Sequence, residues 1–332
     1  MLSNLKKFKR KTNQRPLTII DWISTPSHKN FNRAFISCLD KIDFKLLVFH
    51  KSLFIKNANC TVLERENSRL KSALKVLSLI RETEQSVLLI TYDPLLILLL
   101  KPVSNRVYLY EHNTVPESFL SKHALLQWVF LRKFTRLTQY PIQIEPLQRL
   151  AQDAIYIGSP LNHPTSRTVS NPKNSLSHVI LAPGSRANVN ALNAFEDILI
   201  NFFIYAKASE KIPELTGTKL TINYQNYLNF PTNKNNWKVD AIIISSEGKY
   251  RGSGWFNDAL SAGVPIIITS SDNKRIFNET FGKCNYIDLC KIDSYHTLKE
   301  KLLSEEYIFS PKDIIEHNKK IKIRLRNLFS FE

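Results

Sequence analysis

Cysteine is sparse and dispersed. Cys38, Cys60, Cys284 and Cys290 form no close pair, which excludes a zinc knuckle or a Cys-x-x-Cys redox motif and points to reduced, packed thiols. No apolar run reaches the roughly 20 residues needed to span a bilayer; residues 86–100 come nearest and are broken by Asp93 and Pro94. The start of the chain leads to Asn13, Gln14 and Arg15 instead of an apolar h-region, so no signal peptide is expected. No Asp-x-Asp motif follows a strand candidate, and neither a metal nor a cofactor is expected. RRM, KH and zinc signatures are missing too, so a nucleic-acid partner is not expected. Acids are also few: 29 Asp and Glu stand against 46 Lys and Arg, a net charge of +17, which favours an anionic partner.

The composition that remains is that of a folded protein. Apolar residues make up 43% and aromatics 11% of 332 residues, too many for disorder and enough for two domains that each bury a core. Six bases without an acid (Lys6, Lys7, Lys9, Arg10, Lys11, Arg15) accompany Leu2, Leu5 and Phe8 at helical spacing. Residues 1–15 therefore read as a basic tail, either solvated or lying on an anionic membrane surface.

Short runs rich in Ile, Val and Leu alternate with helical patterns, the form of parallel strands joined by crossover helices. In the first half strands are expected at 17–24, 45–50, 87–91, 106–110 and 154–157, and helices at 30–39, 69–81 and 123–134. Residues 158–177, with Gly158, Pro160, Pro164 and Pro172, read as a linker. The alternation resumes with strands at 178–182, 219–224, 240–245, 265–269 and 286–288, and helices at 190–206, 255–262, 274–281, 295–303 and 311–327. Two α/β domains in series result, and the loops that follow strands are where chemistry belongs.

The most informative segment is Asp240 to Ser271, DAIIISSEGKYRGSGWFNDALSAGVPIIITSS. A buried strand leads into a loop with Glu247, Arg251, Gly252, Ser253 and Gly254, followed by a helix that Gly263 ends. Glycines before a helix admit a phosphate to backbone N–H groups, the helix dipole favours its charge, and Arg251 adds a charge-assisted bond. Gly184, Ser185 and Arg186 follow the first strand of the second half in the same way; a simple Gly-Ser cap is the alternative. In the first half Glu111 and His112 follow a strand and are candidates for a general base, the alternative being a strand end in which Glu111 meets a basic neighbour. His28, after the first strand, is a weaker candidate.

Gly254-Trp-Phe-Asn-Asp-Ala-Leu-Ser-Ala-Gly-Val-Pro-Ile-Ile resembles the donor-site segment of GT-B glycosyltransferases of the GT4-like type, in which an acid precedes Ala-Leu-x-x-Gly-x-Pro. The resemblance implies two Rossmann-like domains facing a cleft: an acceptor-side domain over 16–165, a nucleotide-sugar donor domain over 166–310, and a helix over 311–332 crossing back to the first. Asp258 then matches the acid that contacts the donor ribose or sugar, and Arg251 to Gly254 face its diphosphate. Many relatives have two glutamates bracketing this loop; the first falls at Tyr250, with Glu247 as a substitute. The implied function is metal-independent transfer of a hexose-type sugar from a nucleotide-diphosphate sugar to a glycan or lipid-linked acceptor in bacterial surface-polysaccharide or lipopolysaccharide synthesis. The implied location is cytoplasmic, peripheral on the inner face of the membrane. A catalytically inactive GT-B-like binding subunit is an alternative, and a basic nucleic-acid-binding protein a more distant one.

Overall fold

The computed structural model describes residues 17–25, 28–56, 58–111, 115–118, 122–162, 178–182, 190–207, 219–220, 222–225, 239–245, 248–250, 252, 254–282 and 286–329. The basic tail and most of the expected linker lie outside them.

The first sheet is assembled from β1 (Leu17–Asp21), α1 (Lys29–Ser37), β2 (Phe44–Val48), β3 (Cys60–Val62), α2 (Arg69–Glu82), β4 (Val87–Thr91), a 3-10 segment Leu96–Arg106, β5 (Val107–Glu111), α3 (Lys122–Leu131), β6 (Thr135–Thr138), α4 (Ile144–Arg149) and β7 (Ala154–Tyr156). Its strands lie in the order β3-β2-β1-β4-β5-β6-β7, and every pairing is parallel. All residues of β1, β4 and β5 are buried, as expected of strands covered on both faces. One face packs on α1 and the turn after it through Phe35 and Leu39, the other on α2, the 3-10 segment and Phe134.

The second sheet follows with β8 (His178–Leu181), α5 (Asn190–Asn193), α6 (Glu196–Leu199), β9 (Phe203–Lys207), β10 (Ile222–Gln225), β11 (Ala241–Ile244), α7 (Trp255–Ala262), β12 (Ile266–Ile268), α8 (Ser271–Phe281), β13 (Ile287–Asp288), α9 (Tyr295–Leu303) and α10 (Pro311–Phe329). Its order is β10-β9-β8-β11-β12-β13, again parallel. In both sheets the strand order reverses direction once, between β1 and β4 and between β8 and β11. That is the doubly wound arrangement, and its crevice for ligands opens at the carboxyl ends of those strands. The fold is α/β with two Rossmann-like domains.

Several expectations about elements need correction. The helix expected over 190–206 is two single turns followed by β9, whose Ile204 and Ala206 are buried beside β8. β3 and β6 were not expected. β3 is a three-residue edge strand, and β6 carries Arg136, a charge that disguises a buried strand.

The helix α10 spans both units. Ile314 lies in the core under α7 and α8, while Ile321 and Leu325 lie in the core under the first sheet. These residues share one face with His317 and Asn318, at the three-to-four residue spacing of a helix stripe. Asn318 accepts from Leu161 N (2.9 Å) and donates to Leu161 O (2.7 Å), and Arg324 donates to Ile157 O (3.0 Å). Among the described residues no helix is long and apolar enough to cross a membrane.

Candidate active site

At the crevice of the first sheet a register shift between Ile20 and Asp21 pairs Asp21 with Thr91. The Asp21 side chain is wholly buried. Its Oδ1 accepts from Ser24 N (3.0 Å) and Thr91 Oγ1 (2.6 Å), and its Oδ2 from Asn32 Nδ2 (2.9 Å). Ser24 holds the turn in left-handed backbone, φ 50°, and its hydroxyl accepts from Phe49 N at 2.8 Å. His28, one quarter exposed at the start of α1, places Nδ1 3.5 Å from Asp21 Oδ1. Burial pushes the Asp21 carboxyl up, but the His28 bond and charge, then the Thr91 and Asn32 bonds, outweigh it and leave the pKa below its ordinary value. The result is an ionised buried carboxylate behind a partly exposed imidazole.

Glu111 has a different setting from that of a free base. Both it and Arg136, on neighbouring strands β5 and β6, are wholly buried and form an ion pair. Arg136 also donates to Gln152 Oε1 (2.7 Å) and to the Tyr92 hydroxyl (2.9 Å). A buried pair is costly to break because the partner left behind is an uncompensated charge. The basic neighbour considered as the alternative for Glu111 is therefore Arg136, and the pair holds β5 to β6. His112 lies outside the described residues.

At the crevice of the second sheet, β11 leads into Ser245, whose buried hydroxyl has no hydrogen-bond partner among the described residues. Glu247, Arg251 and Ser253 of the following loop lie outside the described residues, as do Gly184, Ser185 and Arg186. The described part of the loop faces the first domain. Tyr250 is buried against Val115 and Leu147, and its carbonyl accepts from Gln143 Nε2 at 3.1 Å. Thus the side chain at the position of the family's first glutamate is an interdomain contact.

Gly252 is buried, and a Cβ there would stand 2.6 Å from the Tyr140 hydroxyl. Its lack of a side chain serves the approach of Tyr140, a different demand from the phosphate approach expected from the sequence. Gly254 differs: it is exposed, and a Cβ would meet nothing within 4 Å. It precedes α7 in helical backbone without a capping side chain, so the first amides of the helix are not capped by it.

Asp258 lies in the first turn of α7, half-buried. Desolvation raises its carboxyl to about 6. The neighbouring residues of α7 fix the helix against the interdomain segment: Asn257 donates to Ser159 Oγ (2.5 Å), and Ser261 Oγ accepts from Asn162 N (3.0 Å). Gly263 ends α7 in left-handed backbone, φ 63°, as its place in the sequence predicts. Among the described residues no cluster of three or more metal-ligating side chains occurs.

A cavity of about 580 Å³ lies elsewhere, between the end of α8 and α10, lined in part by Tyr156, Phe281, His317 and Arg324. It includes none of the residues singled out in the sequence. The topological crevice, where the polar residues converge, is the better guide to the site.

The Asp21–His28 pair is what sequence reasoning underweighted. Asp21 closes an apolar strand, and its partners Asn32 and Thr91 are 11 and 70 residues away; the only local signal was a histidine following the first strand.

No protein-family model and no curated protein sequence matches the chain. Solved structures do. The UDP-glucose complex of Anabaena Alr3699/HepE aligns with 94% of this chain and 100% of its own at TM-score 0.63 and 9% identity. A glycosyltransferase from Rickettsia africae ESF-5 aligns with 96% of this chain and 98% of its own, at TM-score 0.56 and 10% identity. A UDP-N-acetylglucosamine 2-epimerase from Rickettsia bellii aligns with 95% and 96%, at TM-score 0.52 and 13% identity. At these identities the likeness is one of fold, and the chain has the two-domain GT-B architecture expected from its sequence.

Proposed function

We propose that this protein transfers a sugar from a nucleotide-diphosphate sugar to a hydroxyl of a glycan or lipid-linked acceptor. The observation that carries the reading is the pairing of two crevices, one holding a carboxylate-backed imidazole and the other a glycine-opened helix start with a desolvated acid. A solved relative in fold, from Anabaena, binds UDP-glucose, which supports a nucleotide-sugar donor.

In this reading Arg251, the amides at Gly254 and α7, and the loop with Gly184, Ser185 and Arg186 hold the diphosphate as its charge grows on the leaving group. Asp258 binds the ribose or sugar, and Glu247 is the candidate substitute for the missing first glutamate. His28 takes the proton from the acceptor hydroxyl, while ionised Asp21 orients the ring and stabilises the imidazolium that forms. Glu111 serves this site by fixing β5, whereas His112 stands next to it as a second candidate base. No metal or cofactor enters the scheme. The proposed setting is surface-polysaccharide synthesis on the cytoplasmic face of a membrane.

A catalytically silent donor-binding subunit is the second reading, favoured by the engagement of Tyr250 and Gly252 in the domain interface. Thermal stabilisation by UDP, GDP, CMP and TDP ligands tests donor binding; no response to any of them sinks both readings. Turnover separates them. His28→Ala is expected to lower kcat about 10²-fold or more, with donor-induced stabilisation retained. A donor that binds but is neither transferred nor hydrolysed by the wild type favours the silent subunit.

A further inference from the structure

The outer surface of the first domain carries apolar side chains that the fold does not cover. On α3, Leu125, Trp128 and Val129 are 61%, 41% and 39% exposed, at the i, i+3, i+4 spacing of one helix face. Leu95, immediately before the 3-10 segment, and Leu70 and Leu74 on α2 are each about half exposed. The inner faces of these three elements pack on the same core, and Arg69 binds Asp93 at 2.5 Å, tying the start of α2 to the turn before the 3-10 segment. Single exposed leucines are ordinary; six large apolar side chains on one layer form a patch.

Basic side chains predominate around this patch. Lys71, Lys101, Arg132 and Lys133 are exposed, and the Arg132 guanidinium stands 4.9 Å over the Trp128 ring. Of the acids in this region, Asp93 and Glu66 are paired with Arg69 and Lys75, Glu82 and Glu84 lie at the far end of α2 and beyond it, and Glu64 and Glu117 are exposed before α2 and α3. We infer that this face of α2, the 3-10 segment and α3 seats on an anionic membrane, its leucines, Val129 and Trp128 entering the headgroup boundary and its bases meeting lipid phosphates. Tryptophan favours that depth, and a stacked guanidinium extends its polar edge.

The chemistry disfavours other occupants. A twofold contact between two copies would set the basic rim against itself. Nucleic acid would satisfy the bases but leave Leu70, Leu74, Leu125 and Val129 without stacking partners. The surface is distinct from residues 1–15 and needs no donor, so the inference stands or falls separately from the proposed transfer reaction.

Sedimentation of the full chain with vesicles of phosphatidylcholine, alone or with about 30% phosphatidylglycerol, tests it. The wild type is expected to bind the anionic vesicles with a blue shift of tryptophan emission. Leu125→Asp with Val129→Asp is expected to lower the bound fraction roughly tenfold, with circular dichroism and Tm unchanged because both positions are exposed. Trp128→Phe is expected to remove most of the blue shift. Failure of the wild type to bind, equal binding by the double variant, or a change in oligomeric state caused by it without vesicles would each overturn the inference. So would full dependence of binding on residues 1–15 with no dependence on α3.

Discussion

Asp258 shows how one side chain links position and pH. Its carboxyl is raised to about 6 by desolvation with no hydrogen bond to offset it among the described residues. The folded state therefore binds the proton more tightly than the unfolded chain, and ∂ΔG/∂pH is negative between about 4 and 6. The site lowers stability as pH rises through that window, and the loss is complete above it. Asp258→Asn should stabilise the fold at pH 7.5 by about 1–2 kcal/mol, and the gain should vanish near pH 4. Urea melts at both pH values check this, and an equal effect at the two would contradict the assigned cause. If the carboxylate also binds the donor, the same variant loses nucleotide-sugar affinity, a trade of stability against function found at many sites. Gly252 and Gly254 make a related point. Two glycines two residues apart were read for one purpose, yet Tyr140 claims the space beside the first, whereas the second opens onto free space.

At the scale of elements, α10 joins the two units. Its Asn318 satisfies both backbone groups of buried Leu161, and His317 Nε2 lies 2.9 Å from Ser159 O, with burial keeping the imidazole pKa below its ordinary value. Asn318→Ala strands a buried N–H and a buried C=O, which costs about 2–4 kcal/mol together. A drop in Tm of several degrees is expected, and an unchanged Tm would show that the Leu161 groups find other partners. Elements with long apolar runs or clear caps, such as β1, β4, β11, α7 and α10, were legible because burial on both faces or helical periodicity marks them locally. β9 was not, since Phe202-Phe203-Ile204-Tyr205-Ala206 suits a helix or a strand equally well. β6 was hidden for another reason: Arg136 is tolerated there only because Glu111, Tyr92 and Gln152 surround it.

Across the whole molecule the two sheets are not independent bodies. Tyr140 and Leu161 of the first half lie in one core with Ile244, Phe256 and Ile314 of the second, and Tyr250 packs with Val115 and Leu147. An apolar shared core couples domains, whereas a wet polar interface leaves them free. Calorimetry should accordingly find one transition, with calorimetric and van't Hoff enthalpies in agreement; two resolved transitions would mean that the interface contributes little. The amino-acid order alone determined the two α/β units, the surplus of positive charge and the glycine-bearing loop before α7, since these follow from local periodicity, composition and turn chemistry. Tertiary structure alone decided which groups meet: Asp21 with His28 and Thr91, Glu111 with Arg136, Gly252 with Tyr140. Those partners are remote in the chain, and close packing, burial and the need to satisfy buried charges act on distance in space, which no local pattern encodes.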